Sequence, residues 1–219
     1  MAKIRDFTSG LIHCIGASLS LIGLIILIIY ASINGDAFDI ISFTLFGTGL
    51  FLSYLFSTLY HWLNISEKKL NVFKKLSHVM NFVLIATSYI TICLGPLRGP
   101  WGWSIFGIIL ALSILGIVFS AIWINLSKAI TIPLYIAMGI VSIILIIPLI
   151  YIYRSSNFFY SLWWLVLSCL FYFISFLIYI LKWPKNKFQH FGKHEIFHII
   201  LILGSICLYW FVLNYITIF

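Results

Sequence analysis

Residues 101–124 read WGWSIFGIILALSILGIVFSAIWI and contain no charged side chain. A helix of about 20 such residues is long enough to cross the hydrocarbon core of a bilayer. Similar runs recur along the whole chain of 219 residues, of which 63% are hydrophobic and only 8% are charged. A soluble domain of this length could not bury so much apolar surface. The sequence therefore predicts an all-α membrane protein.

Seven transmembrane helices are predicted, separated by short polar breaks. The predicted spans are roughly 9–32, 38–62, 74–94, 101–124, 129–152, 158–181 and 194–217. No polar stretch between them is long enough to fold separately, so residues 1–219 are expected to form a single transmembrane domain.

Basic residues are concentrated on one side of this predicted topology. Eleven of them fall in the N-terminal tail and in alternate connections: Lys3, Arg5, Lys68, Lys69, Lys74, Lys75, Lys128, Lys182, Lys185, Lys187 and Lys193. Only Arg98 and Arg154 fall on the other side. The positive-inside rule then predicts a cytoplasmic N-terminus and a C-terminus outside. The net charge of +8 is explained by anionic membrane lipids as partners, without nucleic acid.

Three histidines are predicted to meet at the cytoplasmic edge. His194 and His198 are one turn apart on one helix face, and His61 ends the second span at the same depth. Three imidazoles with an open fourth position are typical of a catalytic zinc site. We predict zinc as the cofactor, with these three residues as its ligands. The alternative is that they anchor the helices in the headgroup region or hydrogen-bond to neighbouring helices.

Other polar residues have smaller predicted roles. Ser57 lies one turn before His61 and is the candidate catalytic residue, orienting a water or a ligand at the metal. His78 is interpreted as an interhelical contact or a hydrogen-bond donor to a ligand side chain, with a fourth metal ligand as the alternative. We interpret His13 as a packing or hydrogen-bonding residue, and His190 as a solvated loop residue.

His194-Glu195-x-x-His198 also fits the H-E-x-x-H pattern of zinc metalloproteases, in which the glutamate is the general base. An intramembrane zinc protease is therefore an alternative function. Glu195 also has a simpler explanation, because a carboxylate in the first turn of a helix complements the helix dipole. It lies about 100° around the helix from His194, which disfavours contact with the same metal.

Five motifs follow one another in a recognisable order. They are STLYH at 57–61, KLSH at 75–78 with LIATSY at 84–89, GPWGW at 99–103, YIAMG at 135–139, and FGKHEIFH at 191–198 followed by LGS at 203–205. In this order they resemble the hemolysin III family, the bacterial branch of the progestin and adipoQ receptor superfamily, which is related to alkaline ceramidases. The resemblance covers nearly the full length of the chain.

The resemblance implies a multi-pass protein of the bacterial inner membrane with a zinc site. In that superfamily, one histidine closes an S-x-x-x-H motif and two belong to an H-x-x-x-H motif, which here are His61, His194 and His198, with Ser57 as the serine. It further implies a lipid or acyl-chain ligand, and either lipid sensing in membrane homeostasis or hydrolysis of a lipid amide. A pore-forming or structural membrane protein is the non-enzymatic alternative.

One departure from the family pattern weakens the case for an enzyme. The family usually has an aspartate before the third-helix histidine, where it is thought to hold the zinc-bound water; this chain has Ser77. A serine cannot act as a carboxylate base, and a general base typically supplies about 100- to 10,000-fold in rate. Ser9 and Ile12 similarly replace the family's Asn and Thr in the first helix. We therefore expect metal binding to persist more than hydrolysis.

Overall fold

The computed structural model describes residues 5–123, 128–181 and 192–218. Within these ranges the chain forms seven α-helices and one short 3-10 helix, and no β-strand. The helices are α1 (Phe7–Asn34), α2 (Ala37–Trp62), α3 (Glu67–Leu94), α4 (Pro100–Ile122), α5 (Lys128–Tyr153), the 3-10 helix (Asn157–Ser161), α6 (Leu162–Leu181) and α7 (Lys193–Ile218). All seven α-helices belong to segments that are long and apolar enough to cross a membrane. The predicted fold class, an all-α membrane protein with seven transmembrane helices, is confirmed. The orientation of the two termini stays a prediction.

The start of α3 is the largest error in the predicted boundaries. The span was expected to begin at residue 74, but the helix begins at Glu67 and includes Lys68 and Lys69. Hydropathy detects only the part of a helix that lies in hydrocarbon, whereas charged residues are good helix formers in water. The first two turns of α3 therefore extend beyond the apolar segment.

The helices pack mainly against their neighbours in the chain, and α1 also contacts α7. Helix α5 makes fewer contacts than the others, with α4 and α6. The interior contains fully buried aromatic residues, including Phe43, Phe82 and Phe211. Large apolar side chains such as Ile108 and Ile143 are exposed on the outside, as expected where lipid replaces water. The contacts of α1 with both α2 and α7 matter for function, because the candidate ligands lie on these helices.

A cluster of ion pairs lies at the end of the bundle where α2 begins. Arg98 donates to the carboxylate of Asp36, with an Nη2–Oδ1 distance of 3.1 Å, and lies 3.8 Å from a carboxylate oxygen of Asp39. Asp36 also caps α2 by accepting from the backbone N–H groups of Phe38 and Asp39. The hydrogen bond from Arg98 lowers the pKa of Asp36 to about 2. This cluster joins the start of α2 to the loop between α3 and α4.

Gly102 lies where α4 meets the end of α3, and we expect alanine to be poorly tolerated there. A Cβ at this position would overlap the carbonyl oxygens of Cys93 and Leu97. Because backbone atoms cannot rotate away, Gly102→Ala is expected to lower the free energy of unfolding by about 1–3 kcal/mol. Gly107→Ala is the control, since a Cβ there meets nothing within 4 Å and should raise stability by roughly 0.5–1 kcal/mol. Thermal unfolding in detergent compares the two variants; equal changes in Tm would contradict this packing.

Candidate metal centre

Four histidine rings converge at the end of the bundle where α1, α3 and α7 begin and α2 ends. The ring centroid of His61 lies 5.4 Å from that of His194 and 5.9 Å from that of His198. The Nε2 atoms of His194 and His198 are 3.2 Å apart. His13 of α1 is the fourth, with its centroid 4.2 Å from that of His198. The structure therefore brings the three predicted ligands together and adds one more imidazole.

Two sets of potential ligand atoms overlap at His61. In the first set, single atoms of His13, His61 and His198 all lie within 4.8 Å of one another; in the second, the same holds for Asp6, His61 and His194. His61 and His13 are buried, and His194 is exposed. The predicted trio is thus divided between two sets that share His61. That all three bind one ion stays a prediction.

The second set depends on the residues that precede α1. Asp6 caps α1 by accepting from the backbone N–H of Ser9, and its own backbone N–H donates to the carbonyl of His61 over 3.1 Å. The other carboxylate oxygen of Asp6 lies 3.1 Å from Nδ1 of His61. Arg5 holds this segment in place by donating to the carbonyl oxygen of Tyr60 over 2.6 Å. The beginning of α1 is therefore fastened to the last turn of α2.

Asp6 is ionised at neutral pH in this position. Partial burial alone would raise the pKa of its carboxyl, but hydrogen bonds from Ser9 and the neighbouring His61 imidazole outweigh burial and lower it. An ionised Asp6 can accept from Nδ1–H of His61, which leaves Nε2 of that ring free to bind a metal. Such carboxylate–histidine pairs orient metal ligands in many zinc sites.

The candidate catalytic residue, Ser57, is buried, and its hydroxyl lies 2.8 Å from the hydroxyl of Ser77. One turn deeper, Ser53 donates to the side-chain oxygen of Asn81 over 3.3 Å. Ser77, which stands where the related sequences are expected to have an aspartate, therefore lies beside Ser57 but contributes a hydroxyl and no carboxylate. The catalytic role of Ser57 stays a prediction.

Glu195 joins two helices at this end of the bundle. The hydroxyl of Ser9 donates to Oε1 over 3.0 Å, and the backbone N–H of Gly192 donates to Oε2 over 2.7 Å. Both carboxylate oxygens are thus engaged, and among the described residues Glu195 belongs to neither set of ligand atoms. This arrangement favours a structural role for Glu195 over that of a protease base.

Three further histidines of the chain lie outside the predicted trio. His78 is exposed and, within the described ranges, lies outside both sets. His190 lies outside the described residues. The interpretation of His13 as a packing or hydrogen-bonding residue stays a prediction, and the structure adds that its ring nitrogens are potential ligand atoms. Asp6 is a potential ligand that was not predicted. Their spacing held a signal: Asp6, Ser9 and His13 follow one another at intervals of three and four, which places them along one face where α1 begins.

The donor chemistry of this end of the bundle suits a transition metal. The ligands on offer are imidazole nitrogens and one carboxylate, and imidazole is a preferred ligand of zinc, copper and nickel. Nδ1 of His198 and both ring nitrogens of His13 are buried and have no hydrogen-bond partner among the described residues. Unpaired buried nitrogens beside other imidazoles are what a metal would satisfy, so the residues fit a bound ion.

Comparison with known proteins identifies the family to which the chain belongs. A family model described as "Haemolysin-III related" matches residues 1–209. The chain belongs to the hemolysin III family. It is 35% identical over 212 residues to the "Hemolysin-3 homolog" of Bacillus subtilis (strain 168), covering 96% of this chain and 94% of that protein. It is 36% identical over 212 residues to "Hemolysin-3" of Bacillus cereus, covering 97% and 92%. This member of the hemolysin III family is thus a multi-pass membrane protein whose histidines could hold a metal.

Proposed function

We propose that this hemolysin III family protein binds zinc through His61, His194 and His198 and has a lipid-related role in the membrane. The observation that carries the proposal is the convergence of imidazole nitrogens on His61 from α7. Zinc is favoured because imidazole suits it and because it requires no redox partner. When bound, it would join the end of α2 to the start of α7.

We further propose that the metal site faces the cytoplasmic leaflet of the bacterial inner membrane. The lysines near the start of α3, including Lys68 and Lys75, belong to the same end of the bundle as His61. Basic residues are retained on the cytoplasmic side and attract anionic headgroups. A metal at this depth would lie where a lipid carries its polar group, so the proposed ligand is a lipid or an acyl chain.

Lipid sensing in membrane homeostasis is favoured over catalysis. The hydroxyls of Ser57 and Ser77 are hydrogen-bonded to each other. Helix α3 therefore presents a hydroxyl at the position where hydrolysis would need a general base. A pore-forming role has less support, because the buried hydroxyls of Ser53 and Ser57 are bonded to side chains of α3.

Slow hydrolysis of a lipid amide is the second candidate, and one observation favours it. Asp6 places a carboxylate oxygen within 4.8 Å of ligand atoms on His61 and His194. This carboxylate from the start of α1 would supply the negative charge beside the metal that Ser77 cannot, while its oxygens stay bonded to Ser9 and His61.

Metal analysis combined with a ceramide-hydrolysis assay tests both candidates. Purified wild type is expected to hold about one zinc ion per chain, as a single histidine site would, and to leave ceramide intact. Ser77→Asp restores a carboxylate beside Ser57, and zinc-dependent hydrolysis by this variant would show that one metal position is open to water. Asn81→Asp, one turn away on α3, is the matched control and should gain none. Hydrolysis by wild type would favour the second candidate, and absence of bound metal would refute both.

A further inference from the structure

His13 is buried among the imidazoles of the metal centre. Its relative exposure is 3%, and its ring stacks on that of His61 at 5.5 Å between centroids with an interplanar angle of 15°. The edge of the His198 ring faces it at 4.2 Å. His13 thus contacts candidate ligands on two other helices.

Both ring nitrogens of His13 lack a hydrogen-bond partner among the described residues. An unpaired buried polar group costs about 1–3 kcal/mol, so a histidine that served packing alone would be a poor choice here. One of these nitrogens is also within 4.8 Å of ligand atoms of His61 and His198. Burial, unpaired nitrogens and proximity to two imidazoles are together the properties of a metal ligand.

We infer that His13 is a fourth ligand, so that the metal is bound by His13, His61, His194 and His198. This inference rests on the proposed function, which places a metal here. Two ligands of a tetrahedral zinc ion with Zn–N bonds of 2.0–2.1 Å are about 3.4 Å apart. The ligand atoms of His13, His61 and His198 already lie within 4.8 Å of one another and reach that spacing by small shifts of the imidazole rings. His194 belongs to the other set, but its Nε2 atom lies 3.2 Å from that of His198.

A fourth imidazole changes what the site does. Zinc sites with four protein ligands are structural, whereas catalytic sites keep one position open. Binding by His13 would fill that position and fasten α1 to α2 and α7. It would also explain why a serine suffices at position 77, since a closed site activates no water. Four nitrogen donors admit copper and nickel as well as zinc, and exclude calcium and magnesium, which prefer oxygen.

X-ray absorption at the zinc edge of the full-length purified protein counts the bound imidazoles. We expect four in wild type and three in His13→Phe, which keeps an aromatic ring in the same space. Zinc affinity of His13→Phe should fall by about 100-fold or more, because even residues outside the coordination sphere contribute roughly 10- to 100-fold. Tyr54→Phe is the control: its ring lies 6.1 Å from that of His13, and it loses only a hydroxyl bonded to Ser205.

Three imidazoles and one oxygen in wild type would overturn the inference, and this measurement needs no variant. Unchanged affinity in His13→Phe would overturn it as well. The proposed function fails separately, if wild type binds no metal or if His61→Ala binds it as wild type does.

Discussion

His61→Ala is expected to remove the metal from the purified protein almost completely. His61 is shared by both sets of potential ligand atoms, and among the described residues neither set keeps three donors without it. Its ring is also buried and held in place by Asp6. Because this ring is already oriented, it loses little conformational entropy when it binds the metal, and the substitution removes that advantage. Elemental analysis after removal of loosely bound metal measures the change.

His78→Ala is the matched control for this experiment. It makes the same chemical change at an exposed histidine of α3 that belongs to neither set among the described residues. This variant should retain the metal content of wild type. Equal metal content in His61→Ala and wild type would show that the site is not built around His61.

Asp6→Asn is expected to weaken metal binding by about 10- to 100-fold, which is typical when the partner of a metal-binding histidine is changed. Asparagine can still cap α1 and can still accept from Nδ1–H of His61, so the helix start should persist. What is lost is the negative charge, and charge-assisted hydrogen bonds are roughly twice as strong as neutral ones. Competition with a chelator of known affinity measures the dissociation constant.

Asp36→Asn provides the control, since Asp36 caps α2 at the opposite end of the bundle as Asp6 caps α1. It should leave the dissociation constant unchanged, although it removes the ion pair with Arg98 and so lowers stability slightly. If both variants bound metal as wild type does, Asp6 would have only a capping role.

The membrane spans could be predicted from sequence because a segment that crosses the bilayer must be apolar over about 20 residues, and hydropathy measures that apolar character directly. The convergence of His61, His194 and His198 followed from helix periodicity and from alternating helix directions, which set depth. Hydropathy could not locate the true start of α3, because its first turns lie outside the hydrocarbon.

The parts of the site that escaped prediction depend on local chain geometry and helix rotation. Asp6 lies before the first span, where charge is ordinary, and it reaches His61 only because residues 5–6 fold back onto the end of α2. The role of His13 depends on which face α1 turns toward α7, a rotation set by the packing of three helices together. The depth of a residue in the membrane can therefore be predicted from sequence more readily than the rotation of its helix about the helix axis.

The order in which the ribosome makes these helices has a consequence for assembly. Asp6, His13 and His61 are available as soon as the first two helices have entered the membrane, but His194 and His198 arrive with the last. The incomplete chain must therefore hold half a site until synthesis ends, and a chain that terminates early can never complete it. Metal acquisition would then distinguish the finished molecule from truncated products.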